Sequence, residues 1–154
     1  MSTVVTNKHL RGVAVTVLGD GVIKPSGVVD VDTGTLTIAD TVSDYSIGIP
    51  FTRRIVTLTP EIGSPSGSAQ GNSMRINEIT VRILETLGLV INGQEVEFRR
   101  LGRDKLDTPL VPVSGEYRME NLGWERGEAQ IEITHALPHP FHVLSVIKKI
   151  TVND

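Results

Sequence analysis

Apolar and polar residues alternate along much of the chain with a period of two, the pattern of strands that bury one face. Val13, Val15 and Val17 alternate with Ala14 and Thr16, and the run ends at Gly19-Asp20-Gly21, where glycine accepts the positive φ of a tight turn. In "GVVDVDTGTLTIAD", Asp32-Thr33-Gly34 predicts a hairpin turn between Val28–Val31 and Thr35–Ile38. "YSIGIPF" predicts a short strand closed by Pro50. "RRIVTLTPEI" predicts another, alternating Ile55 with Thr57 and Val56 with Leu58. Residues 1–8 then form an N-terminal extension, and residues 9–62 a meander of β-hairpins.

"GSPSGSAQGNS", residues 63–73, is small, polar and rich in breakers, which predicts a flexible loop. It is either a boundary between two units or a long exposed loop within one. "MRINEITVRILETLG" fits two periods: Ile76, Ile79, Ile83 and Leu87 make a helical stripe, whereas Ile79, Val81 and Ile83 alternate as in a strand. Its many β-branched residues favour the strand. Asn92-Gly93-Gln94 is then a hairpin turn leading into "EVEFRRL", with Val96 and Phe98 on one face. "GRDKLDTPLVPVSGEY" reads as largely loop. "EAQIEITHAL" alternates Ala129, Ile131 and Ile133 with polar residues, and "FHVLSVIKKITV" is apolar enough for a central strand. The expected fold is all-β, a mostly antiparallel sandwich or barrel, either single or made of two small β units, with residues 74–154 as the main antiparallel unit.

Composition narrows the chemistry. The chain has 154 residues, enough to bury roughly 70% of its unfolded surface. Its net charge of −3 lacks the basic footprint of a sequence-specific nucleic-acid binder. With no cysteine, disulfides, thiolate catalysis and cysteine-metal sites are excluded. No run of about 18 apolar residues predicts a membrane span, and "MSTVVTNKHLRG" lacks the apolar core of a signal peptide.

Three of the four histidines, His135, His139 and His142, fall in "HALPHPFH". A zinc site needs three or four converging ligands, often with a carboxylate, and no Asp or Glu lies nearby in sequence. Pro138 and Pro140 remove two backbone donors and stiffen the segment, which predicts a strand connector with His139 at its tip and no metal role. "VLGDGV" lacks the Gly-Lys-Ser/Thr ending of a phosphate loop. The "DTG" triplet at Asp32 would need a second aspartate to act as a protease, and it sits in hairpin periodicity instead. "FRRLGRDKLDT" mixes both charges and reads as a solvated loop or an interface, not a nucleic-acid patch; Arg99, Arg100, Arg103 and Asp104 are its candidate interface residues. Trp124, the single tryptophan, is expected to be mostly buried within the chain. Neither an enzymatic centre nor a cofactor is predicted.

Several phrases in succession resemble one family. "HLRGVAVTVLGDGVIKPSGVV" followed by "GTLTIADTVSDYSIGIPF" is similar to a strand repeat of phage tail proteins, with alternating valines, "DG", "G-x-[IV]-T-L" and "[IV]-G-[IL]-P-[YF]". "INEITVRILETLGL" resembles their next strand, and residues 106–152 their closing segment, in which a Gly–aromatic turn, a strand and a proline turn precede a last apolar strand. Together they resemble the C-terminal β region of the tail tubular protein B, or tail nozzle, of short-tailed bacteriophages and related phage stabilisation proteins. In that family the region belongs to a much longer chain, so this one is either separately encoded or a piece. The resemblance implies a structural nozzle- or ring-type tail protein, synthesised in the host bacterial cytoplasm and resident in the virion. Its partners would be copies of itself in a ring and other tail proteins such as nozzle, adaptor and fibres. The alternative is a receptor- or carbohydrate-binding β module of a tail fibre or spike, which needs an exposed aromatic platform.

Overall fold

The computed structural model describes residues 2–61, 63–64, 67–68, 73–98, 109, 111–120, 124–126 and 129–153. Among these the fold is all-β and its sheets are antiparallel, with one 3-10 turn at Lys8–Leu10 and no closed barrel. No helix among them is long and apolar enough to cross a membrane. The described residues group into two compact units. One holds the chain up to Thr52 with Ala136–His139; the other holds Arg53–Phe98, Pro112–His135 and the chain from Pro140 onward.

The first unit contains β1 (Thr3–Thr6), β2 (Ala14–Gly19), β3 (Val22–Val28), β4 (Thr35–Ile38) and β5 (Tyr45–Gly48). Asp20 and Gly21, at φ 50° and 77°, make the two-residue turn between β2 and β3 that the glycines predict. Pro25 lies where the β2–β3 register shifts, a position that tolerates its missing N–H. The sheet order is β3-β2-β5, so "YSIGIPF" does supply a strand. The "DTG" hairpin does not form as expected. β4 pairs instead with β1, from Thr3↔Ile38 to Thr6↔Thr35, so residues 1–8 are not a mere extension. The turn itself closes: Asp30 Oδ1 accepts from the backbone N–H groups of Asp32 and Thr33 and from the Thr33 hydroxyl, and the Asp30 N–H donates to the Thr35 carbonyl at 2.9 Å, so what is absent is the ladder beyond it. Val5, Val17, Ile38 and Val42 form the core. A Cβ on Gly19 would lie 2.7 Å from Val42 Cγ1, so glycine there allows the close approach.

The second unit begins with β6 (Arg53–Val56), which leaves the meander because it pairs with a strand far along the chain. The division therefore falls after Thr52 and not within residues 63–73. In that segment β7 (Gly63–Ser64) and β8 (Gly67–Ser68) pair, while residues 62, 65–66 and 69–72 lie outside the described ones. Next come β9 (Ser73–Thr86), β10 (Leu89–Ile91) and β11 (Gln94–Val96), then β12 (Val113–Glu120), β13 (Trp124–Arg126), β14 (Glu132–His135) and β15 (Val143–Asn153). Asn92 and Gly93, at φ 48° and 78°, form the predicted turn between β10 and β11. Phe98 lies beyond the end of β11, and part of the expected loop, Val113–Tyr117, is strand.

Two four-stranded sheets form the body of this unit, beside the short β7-β8 pair. One has the order β11-β10-β14-β6; in the other, β9 carries β12 and β13 on one edge and β15 on the other. Met74, Ile76, Ile79, Val81 and Ile83 of β9 meet Leu89, Ile91, Ala129, Ile131 and Ile133 in one core. The central strand is thus β9, not the final strand. β15 has one partner among the described residues, and its Leu144 and Ile147 are exposed. The β9–β15 register shifts at Asn77-Glu78, a β-bulge. Buried positions run 74 and 76 before it and 79, 81 and 83 after it. That change of phase is what makes "MRINEITVRI" imitate a helical stripe.

Candidate functional site

The candidate interface residues Arg99, Arg100, Arg103 and Asp104 lie outside the described residues. The backbone of Trp124 pairs with Arg75 in the β13–β9 ladder; its side chain lies outside the described residues, and so does its expected burial.

The three histidines do not converge. His135 ends β14 with 1% of its surface exposed. Its Nε2 lies 2.7 Å from the Leu87 carbonyl oxygen and its Nδ1 2.7 Å from Arg53 Nη1. A carbonyl only accepts and a guanidinium only donates, so Nε2 carries the proton and Nδ1 accepts. Its ring also stacks on Phe141, with centroids 4.9 Å apart. His142, exposed, donates from Nδ1 to the Leu84 carbonyl 3.1 Å away just before β15 begins. His139 is half-buried rather than fully exposed at a tip, and burial lowers its pKa below the ordinary 6.5. Among the described residues, no three His, Asp or Glu side chains are grouped to hold a metal ion. Nearby, Thr86 is fully buried and ties the segment before β15 to the end of β9: its Oγ1 accepts from the His142 N–H at 2.9 Å.

The charged groups that do converge lie on the outer face of the β12-β9-β15 sheet, and the phase change at Asn77-Glu78 puts them there. Both bulge residues turn away from the core. Asn77 Nδ2 donates to Thr151 Oγ1 at 2.7 Å. Glu78 accepts from Arg118 on β12 and from Lys149 Nζ on β15, the latter at 3.1 Å. Arg118 also pairs with Glu120 at 3.2 Å. Three rows run across this face: Glu116–Arg82–Ser145, Arg118–Thr80–Ile147 and Glu120–Glu78–Lys149. The sequence signal for this cluster was the step of three between Ile76 and Ile79, which breaks period two and marks a bulge.

These contacts set the acid response. Burial raises the pKa of Glu78, but the Lys149 hydrogen bond and the Arg118 and Lys149 charges outweigh it and hold the carboxyl below the ordinary 4.5. Asp20 is lowered mainly by the backbone N–H groups of Asp44 and Ser43, and Asp30 mainly by that of Thr33. A lowered carboxylate contributes stability that is fully present above its unfolded value and is lost as pH falls through the folded one. The ordinary values are 3.8 for aspartate and 4.5 for glutamate, so the main loss is expected below pH 4.5. His139 acts in the same direction: its neutral form is favoured in the fold, so stability declines as pH drops below 6.5. The urea midpoint should therefore fall in two stages on acidification, and Glu78→Gln should flatten the lower one. An unchanged lower stage in that variant would remove Glu78 from this account.

No family model matches the chain, and no curated protein matches it.

Proposed function

We propose that this chain is a structural component of a bacteriophage tail, a nozzle- or ring-type protein that repeats around an axis and attaches neighbouring tail parts. The ordered succession of tail-protein-like phrases carries this reading. "VLGDGV" is the β2–β3 hairpin, "INEITVRILETLGL" runs from β9 into β10, and "HALPHPFHVLSVIKKITV" spans the connector and β15. The function is geometric: packed sheets make each unit rigid, and faces and edges give contacts. A cyclic ring uses heterologous interfaces, so two different surfaces of one copy are complementary. Its partners are further copies and other tail proteins, its place is the virion, and it performs no catalysis.

The test is electron microscopy of the particle that carries the chain. Density for several copies around the tail axis, touching another tail protein, is the expected result. A lone decoration touching neither a second copy nor a tail protein would sink the reading. The alternative, a glycan- or receptor-binding module, has the exposed aromatics Tyr45 and Phe51 in its favour. Glycan-array binding lost on Tyr45→Ala would select it.

A further inference from the structure

The two edges of the β12-β9-β15 sheet carry opposite charge in the same row. Among the described residues, β12 pairs only with β9, and so does β15, which leaves each with one open edge. Open edges are templates for another strand. The row through Glu78 ends in Glu120 at the β12 edge and in Lys149 at the β15 edge. The β12 edge also bears Glu116.

We infer that the occupant of the β15 edge is the β12 edge of a second copy of this chain, so that one sheet continues from copy to copy around the ring. The inference rests on the ring reading and names its contact. β12 and β15 are both antiparallel to β9 and so run in the same direction. Rotation about an axis along the strands keeps that direction, and the pairing between copies is parallel. Rotation also carries no shift along its axis, so each row continues into itself. Lys149 then lies beside Glu120 of the next copy, Ser145 beside its Glu116, and Ile147 beside the stem of its Arg118. Ile147, 56% exposed, becomes covered.

Charge argues against several of the two-fold registers. Pairing β15 with a second β15 about Lys149 sets two ammonium groups opposite each other, and pairing β12 with itself about Glu116 or Glu120 sets two carboxylates opposite. Like charges directly opposite are destabilising in a sheet. The head-to-tail contact places Lys149 beside Glu120, and it is the kind that closes into a ring.

The chain has no cysteine, so single cysteines report contacts cleanly. Ser145→Cys and Glu116→Cys are both exposed and lie outside the Glu78 cluster. Paired strands bring their Cα atoms within the span a disulfide closes. Full-length Ser145→Cys and Glu116→Cys chains, mixed and oxidised, are expected to give the mixed disulfide, with neither variant linking to itself. The double variant should give a ladder of covalent oligomers. Circular dichroism checks that each variant folds. A second measurement needs no substitution: carbodiimide treatment of mixed light and heavy-nitrogen chains should join Lys149 to Glu120 across the isotope labels. Self-linked Ser145→Cys would overturn the inference in favour of two-fold pairing. Oligomers seen by light scattering without either cross-link would overturn the edge contact and leave the ring reading standing. A monomer at every concentration, without cross-links, would overturn both.

Discussion

Ile79→Ala is expected to lower stability by about 2–5 kcal/mol, the range for truncating a buried large aliphatic residue, while Leu84→Ala on the same strand changes it by no more than about 0.5 kcal/mol. Ile79 has none of its surface exposed and belongs to the shared core of the second unit; Leu84 is 45% exposed. The cost at Ile79 has two sources, the lost transfer of its methyl and methylene groups and the cavity left behind. β9 is held on both edges, by Met119 of β12 and Lys148 of β15 at this register, so it has little freedom to collapse into the gap. The pair of variants also tests the bulge. Without the extra residue at Asn77-Glu78, the buried phase of Met74 and Ile76 would continue to even-numbered positions. Leu84 would then face inward and Ile79 outward. Chemical denaturation of the two variants decides: a larger loss at Leu84 than at Ile79 would refute the observed register.

His135→Ala is expected to cost about 2–4 kcal/mol, the sum of a buried acceptor and a half-buried donor left without this partner and of a cavity beside Phe141. His135 bridges the Leu87 carbonyl, on the link between β9 and β10, and Arg53, the first residue of β6. Both hydrogen bonds are lost together, and a methyl group replaces an imidazole stacked on a phenyl ring. A second readout separates this geometry from generic burial. The nitrogen-15 shifts of His135 should report the Nε2–H tautomer, since Nδ1 faces a guanidinium that only donates. His142 should report the opposite tautomer, because its Nδ1 faces the Leu84 carbonyl. An Nδ1–H signal at His135 would refute the arrangement, whatever the stability change.

Which parts of the molecule were legible in the sequence follows from the range of the forces involved. Strand character, the turns at Asp20-Gly21 and Asn92-Gly93 and the buried stripe Ala129, Ile131, Ile133 are set by neighbours one to three residues away. Period-two burial and the steric ease of positive φ at glycine act over that distance, so the residue string determines them without the rest of the chain. Which strand pairs with which is another matter. Thr3–Thr6 has no local signal for joining Thr35–Ile38, and Arg53–Val56 none for leaving the meander to join Glu132–His135. Those choices depend on closing long loops against the area each pairing buries, a sum over residues far apart in sequence. The charged cluster around Glu78 is of the same kind. Its members lie 40 and 71 residues away, and their charges meet only because β9 brings β12 and β15 to its two edges. From the sequence come the all-β class, the turns and the buried faces; the partners, the edges and the charges that line them were decided by tertiary packing, because only the folded chain puts distant residues within a few ångströms.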